Sequence, residues 1–145
     1  MSKALKYTFL VHIPVAAVFG ALLFLLPGRF LSWLGWAPID PIASRLLGAA
    51  FLAMAWGSFR GWRAVEWSRV AILVEVQVIV DVLACVALLR HLLAGHWPVV
   101  PWVFFVLFLV FAIAWIVALV GLKAWGTDRR EVESADVLYA ERQEK

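Results

Sequence analysis

The chain has 145 residues, of which 65% are hydrophobic and only 16% are charged. A soluble domain contains roughly 45–50% apolar residues, and a fold of this size has too little interior to hide more, which excludes a soluble globular protein. The formal net charge of +3 comes from basic residues scattered at the ends of apolar runs, which argues against nucleic-acid binding. The composition therefore predicts an integral membrane protein.

The first predicted element is an apolar run over residues 7–26. It is longer than the apolar core of a signal peptide, about 7–15 residues, and no small-x-small cleavage site precedes Pro27. We therefore predict a retained first membrane span that ends at Pro27 and Gly28. The Trp-rich segment that follows is predicted to lie among the lipid headgroups.

The second span is predicted over residues 41–60, with Asp40 as its N-cap and Pro41 at its first helical position. Small residues recur at every fourth position along it, and such a ridge lets another helix approach closely. The ridge consists of Ala49, Ala53, Gly57 and Gly61. It is predicted to pack inside the bundle, with a homodimer interface as the alternative. The first span has the same spacing at Thr8, His12, Ala16 and Gly20.

The third and fourth spans are predicted over residues 70–93 and 101–122, each long enough for about 30 Å of hydrocarbon. The fourth carries an aromatic stripe at helical spacing, formed by Phe104, Phe108, Phe111 and Trp115. Residues 1–126 are thus expected to form one all-α transmembrane domain of four helices in an antiparallel bundle. Residues 127–145 are expected to form a polar cytoplasmic tail.

The distribution of basic residues predicts the orientation. Ten Lys and Arg residues fall on the side of the termini and three on the other side. The ten are Lys3, Lys6, Arg60, Arg63, Arg69, Lys123, Arg129, Arg130, Arg142 and Lys145; the three are Arg29, Arg45 and Arg90. By the positive-inside rule both termini are cytoplasmic, in a bacterial-type inner (plasma) membrane.

Three polar residues interrupt the apolar third span: Glu75, Gln77 and Asp81. At 100° per residue, Gln77, Asp81 and Cys85 share one face of the helix, and Glu75 lies about 120° away from Asp81. An ionised carboxylate at mid-span costs at least about 2.5 kcal/mol on insertion scales. Asp81 is therefore predicted to need a partner, water or a proton.

The depth of each polar residue suggests its partner. His12 and Glu75 fall at similar depth and are predicted to pair, while Arg45 is a candidate partner for Asp81 unless it extends outward to water. Three interpretations follow: interhelical polar contacts that fix register, a proton or cation path through Asp81 with Glu75 or His12, or a partner subunit whose charge meets Asp81.

Haem and metal sites are not favoured, because His12 lies at the opposite end of the bundle from His91 and His96. The single cysteine, Cys85, excludes an internal disulfide. The aromatic stripe leaves a quinone or a lipid as candidate ligands. A nucleophile, base and orienting group at recognisable spacing are missing from the sequence, so we predict a non-catalytic protein.

The segment "RLLGAAFLAMAWGSF", residues 45–59, and the four-span layout resemble the small bacterial membrane proteins of the DoxX-like kind. The resemblance implies a four-helix bundle that acts as the membrane partner of a redox enzyme or near the quinone pool, and it transfers no site residue. Small multidrug transporters fit less well, since their first helix carries a glutamate and this one carries His12. We therefore predict a membrane subunit or accessory protein that packs with a partner membrane chain or itself. The alternative is a small proton-linked transporter or channel that uses Asp81 and Glu75.

Overall fold

The computed structural model describes residues 2–36, 39–95 and 99–143, with side chains described as far as residue 121. Throughout these ranges the regular elements are helices: α1 Lys3–Leu25, α2 Pro27–Trp33, α3 Pro41–Arg63, a 3₁₀ turn Trp67–Arg69, α4 Ala71–Leu93 and α5 Val99–Gln143. Four helices are long and apolar enough to cross a membrane: α1, α3, α4 and the Val99–Gly121 part of α5. The predicted all-helical fold with four candidate spans is confirmed.

Local chemistry explains where α1 and α3 begin. The Oγ atom of Ser2 accepts a hydrogen bond from the backbone N–H of Leu5 at 3.2 Å. The Asp40 carboxylate accepts from the N–H groups of Ile42 and Ala43 at 2.8 and 3.1 Å, as its predicted capping role requires. Such caps satisfy donors that a helix leaves unpaired in its first turn, and each stabilises the helix by about 1 kcal/mol.

The segment predicted to lie among the headgroups contains the short helix α2, which starts at Pro27. Pro27 and Phe30 are buried against the bundle, whereas Trp33 is 82% exposed. The chain leaves α2 through Gly35, whose φ of +70° favours a residue without a Cβ atom. One face of α2 therefore covers the bundle, and we call this end of the molecule the α2 end.

Helix α5 begins at Val99, two residues before the predicted start of the fourth span, and continues to Gln143. Residues 127–143 of the predicted polar tail continue this helix. Residues 144–145 of that tail lie outside the described part of the chain.

The closest packing in the bundle joins α1 to α3. A Cβ atom added to Gly48 would lie 2.6 Å from the backbone N of Phe24 and 2.8 Å from the carbonyl O of Gly20. The two backbones are therefore in direct contact where the glycines meet. This contact uses the predicted small residue Gly20 on α1, but its neighbour on α3 is Gly48, which lies outside the predicted ridge.

The predicted ridge on α3 turns gradually around the helix. Ala49 and Ala53 are exposed in the single chain, Gly57 faces Leu73 of α4, and Gly61 is buried against the ring of Phe9. A step of four residues advances about 400°, so each step drifts by about 40°. The residues of α3 that are buried in the chain are Ser44, Gly48, Ala55, Ser58 and Gly61.

A compact apolar core lies at the end of the molecule opposite to α2. Residues 64–70, which connect α3 to α4, are at this end. The core is formed by Leu5, Phe9, Val70, Val74, Phe111 and Trp115. The spanning helices also expose large apolar side chains: Val18, Ile79 and Val110 are 56%, 57% and 57% exposed. Acyl chains are the environment in which such a surface is stable.

Candidate ligand site

A polar cluster joins three helices inside the bundle, and Ser58 is its centre. The Oγ atom of Ser58 lies 2.8 Å from Nδ1 of His12 on α1. The amide Nε2 of Gln77 on α4 donates to the same oxygen at 3.3 Å. His12, Ser58 and Gln77 are all buried, with at most 5% of each residue exposed. These bonds fix the positions of α1 and α4 relative to α3.

The Ser58 hydroxyl is shared by the two neighbouring side chains. Gln77 Nε2 can only donate, so Ser58 Oγ accepts from it. The hydroxyl has a second lone pair and one hydrogen, so it accepts from Nδ1 of His12 in one tautomer and donates to it in the other. The imidazole is further held by edge-on contacts with the rings of Phe111 and Trp115, at centroid distances of 4.9 and 5.7 Å.

Asp81 lies one helical turn beyond Gln77 and is only 2% exposed. Among the described residues, no hydrogen-bond partner reaches Asp81 Oδ2, Gln77 Oε1 or Trp115 Nε1, although all three atoms are buried. Trp115 interacts with the Asp81 carboxyl group, but its N–H does not meet hydrogen-bond geometry. An unsatisfied buried polar group costs about 1–3 kcal/mol, so these atoms favour completion by a water or a bound group.

A cavity of about 480 Å³ extends from this polar cluster to the α2 end. His12 and Asp81 line its inner end, and Trp36 and Asp40 line its outer end. The surface between them is almost entirely apolar and rich in phenyl rings, which come from Phe19, Phe30, Phe51, Phe104, Phe108 and Phe111. Three members of the predicted aromatic stripe of the fourth span therefore line one side of the cavity.

Helices α3 and α4 both contribute residues to the cavity wall. They contact each other near residues 64–70, where Gly57 meets Leu73 and Ser58 meets Gln77. Nearer the α2 end, Leu47 of α3 and Ala87 of α4 line the cavity, and both residues are exposed.

The remaining predicted site residues lie outside the cavity wall. Arg45 is exposed in the first turns of α3, and Glu75 is half-buried on a face of α4 different from that of Gln77 and Asp81. The structure gives His12 a hydrogen bond to Ser58, and its predicted pairing with Glu75 stays a prediction.

Of the three histidines that we weighed as haem or metal ligands, His12 and His91 lie in the described part of the chain. Within the described residues, no group of three or more His, Cys, Asp or Glu side chains is placed to hold a metal ion. His91 lies on the exposed last turn of α4, and His96 lies outside the described residues. Cys85 is half-buried one turn beyond Asp81.

Sequence reasoning missed Ser58, because a serine among Gly and Phe in an apolar helix has no distinctive pattern. The signal that could have found it is depth. Ser58 lies six residues before Ala64 and Gln77 seven residues after Val70, so the connection between α3 and α4 brings them to one level. A serine hydroxyl opposite an amide inside a membrane bundle is a natural hydrogen-bond partner.

No protein-family model, no curated protein and no solved structure matches the chain. The resemblance to DoxX-like proteins therefore stays a prediction. A function has to be argued from the cavity and from the polar groups at its inner end.

Proposed function

We propose that this protein is a non-catalytic membrane protein that binds a lipid-soluble molecule between its helices. The cavity carries this proposal. Small-molecule sites measure about 300–1,000 Å³ and combine an apolar wall with a few polar groups that orient the ligand. A cavity of about 480 Å³ with phenyl rings along its wall and His12 and Asp81 at one end has that composition.

The proposed ligand has an apolar body and one polar group. The body occupies the aromatic part of the cavity, and the polar group reaches His12 and Asp81 at the inner end. There it satisfies the carboxyl oxygen of Asp81 that the described residues leave without a hydrogen bond. Binding then removes apolar surface from the cavity wall and completes the polar cluster, and both effects stabilise the complex.

In its membrane we propose an antiparallel bundle with both termini in the cytoplasm of a bacterial-type inner membrane. The bias of ten basic residues against three supports this orientation. The order of contacts supports the antiparallel arrangement, since Phe9 meets Gly61 while Gly20 meets Gly48. We also propose that the ligand enters from the leaflet that contains the α2 end, past the exposed lining residues Leu47 and Ala87.

A role as a membrane subunit or accessory protein is compatible with ligand binding, and we propose it for this chain. Ala49 and Ala53 are exposed small residues on α3, and such residues let a second membrane helix approach closely. The resemblance to DoxX-like proteins makes a redox complex the natural partner and a quinone a natural ligand. Gentle extraction and mass spectrometry of the native complex tests this role: a stoichiometric foreign chain is expected, and a lone homo-oligomer would contradict it.

The binding function is tested by filling the cavity. Ala84 lines the cavity one turn from Asp81, so Ala84→Phe places a ring inside it. Ala50 of α3 is exposed, and Ala50→Phe is the matched control. We expect the purified wild type and the control to carry the same lipid-soluble molecule at near-stoichiometric amount, measured by extraction and mass spectrometry, and Ala84→Phe to lack it. Equal amounts in all three proteins would contradict the proposal.

Proton-linked transport is the second candidate function, and one observation favours it. A carboxyl group only 2% exposed lies at the end of a cavity that reaches the α2 end, beside a hydrogen-bonded chain of His12, Ser58 and Gln77. Glu75 is half-buried and precedes Asp81 on α4, toward the end of the molecule opposite to α2. Proton flux into liposomes tests this candidate: it requires loss of flux in Asp81→Asn and Glu75→Gln, with the exposed Glu66→Gln unaffected.

A further inference from the structure

The cavity wall carries two carboxyl groups and one imidazole as its ionisable side chains. Its ionisable lining residues are Asp40, Asp81 and His12. Among the described residues, no Lys or Arg lines the cavity, and the arginines toward the α2 end, Arg29, Arg45 and Arg90, are exposed. An anionic ligand would therefore meet carboxylates and no fixed positive charge.

Asp81 places a buried carboxyl group on the cavity wall. It is 2% exposed, it lines the cavity, and its Oδ2 atom has no hydrogen-bond partner among the described residues. The neighbouring titratable groups are His12 on α1, which is bonded to Ser58, and Cys85 one turn along α4. From α5 the Trp115 indole interacts with the carboxyl group but carries no charge. None of these neighbours supplies a positive charge as permanent as that of Lys or Arg.

The wall of the cavity adds a second preference for positive charge. Six phenylalanines line it, and Phe104 and Phe108 come from α5 while Phe19 comes from α1. The face of a phenyl ring attracts a cation, and the attraction grows when the cation has lost its water. In an apolar cavity a cation and a carboxylate also attract each other more strongly than in water, which offsets part of their desolvation cost.

We propose that the ligand of this cavity is a lipophilic organic cation, with Asp81 as its counter-ion and the phenyl rings as the surface for its apolar groups. This proposal rests on the proposed binding function and specifies its ligand class. His12 holds the inner end of the cavity in place through Ser58. A neutral molecule such as a quinone is the competing ligand class.

The experiment compares probes of opposite charge on the same protein in lipid nanodiscs. Tetraphenylphosphonium and tetraphenylborate have the same four phenyl rings and opposite charge, and decylubiquinone represents a neutral ligand. Binding is measured by equilibrium dialysis, and nanodiscs without protein correct for partition into lipid. The variants are Asp81→Asn, the cavity-filling Ala84→Phe, and Glu66→Gln, which removes a carboxylate that is 61% exposed and outside the cavity wall.

We expect the wild type and Glu66→Gln to bind tetraphenylphosphonium, and tetraphenylborate to remain at the level of empty nanodiscs. Asp81→Asn should weaken the binding of tetraphenylphosphonium about thirtyfold or more, as expected when one member of a buried charge pair is removed. Ala84→Phe should abolish the binding. The comparison of probes on the wild type needs no variant, so the proposal stays falsifiable if Asp81→Asn fails to fold.

The other outcomes would each contradict a different part of the proposal: the role of the charge, the choice of a cation, or the cavity as the binding site. Equal affinity of the wild type and Asp81→Asn for tetraphenylphosphonium would overturn the role of the charge, as would binding of tetraphenylborate. Binding of decylubiquinone alone, blocked by Ala84→Phe, would overturn the cation but preserve the binding function. Absence of saturable binding of all three probes, or binding that Ala84→Phe leaves unchanged, would overturn the cavity as a site for molecules of these classes.

Discussion

The contact between Gly20 and Gly48 gives a prediction that tests the packing on which the site depends. In Gly48→Ala the new Cβ atom would lie 2.6 Å from the backbone N of Phe24 and 2.8 Å from the carbonyl O of Gly20. Both atoms belong to the backbone of α1 and cannot rotate away. The helices must therefore move apart at this level.

The geometry sets the size of the effect. An ordinary contact begins at 3.4 Å, so the 2.6 Å approach requires a shift of about 0.8 Å. A gap of about 0.5–1 Å forfeits a quarter to a half of each dispersion contact along the interface, and overpacking typically costs about 1–3 kcal/mol. Alanine recovers up to about 1 kcal/mol through its higher helix propensity. We expect a net loss of about 1–2 kcal/mol in the free energy of unfolding.

The control is Gly121→Ala on α5, since a Cβ atom there has nothing within 4 Å. It has the same gain in helix propensity without the clash. Both variants are unfolded with increasing sodium dodecyl sulfate in mixed detergent micelles, and the loss of helix is followed by circular dichroism. If Gly48→Ala is as stable as Gly121→Ala, the direct backbone contact between α1 and α3 is wrong.

Three further predictions use the same unfolding measurement. Ser58→Ala leaves two buried groups without their hydrogen bonds and should lower the free energy of unfolding by about 1–3 kcal/mol, whereas the exposed Ser32→Ala should change little. Trp115→Phe keeps a ring beside Phe9 and removes an N–H that has no hydrogen-bond partner among the described residues, so it should cost less than Trp115→Ala, for which about 3–5 kcal/mol is expected. Glu66→Gln breaks an exposed ion pair and should alter stability by less than about 1 kcal/mol, with the difference vanishing in high salt.

Much of the fold could be predicted from the sequence because it depends on properties of single segments. Length and apolar content identify a membrane-spanning helix without knowledge of its neighbours, and the four candidate spans follow from them. The start of α3 depends on Asp40 and Pro41, which act within one turn. The shared face of Gln77 and Asp81 follows from helix geometry alone, and both residues are buried.

The pairing between helices could not be predicted in the same way, because it depends on the rotation of each helix about its axis. A ridge of small residues at every fourth position indicates that α3 approaches another helix closely. It does not indicate which members make the contact: three steps of about 40° turn Ala49 about 120° away from Gly61, and the residue that meets α1 is Gly48. The same uncertainty concealed Ser58, since its value as a partner for His12 depends on which face of α3 meets α1.

The cavity was the least predictable feature, because a void is a property of several helices at once. It exists where Ala84 and Ala87 of α4 and Ala43 of α3 give small side chains to the surface that faces the phenyl rings. Packing for stability alone favours larger side chains at such positions, since voids forfeit dispersion contacts. It would also favour an apolar residue in place of Asp81, whose buried Oδ2 atom has no hydrogen-bond partner in the described part of the chain. Two costs at one place, a void and an incomplete polar group, are both offset if a molecule occupies the cavity and meets the carboxyl group.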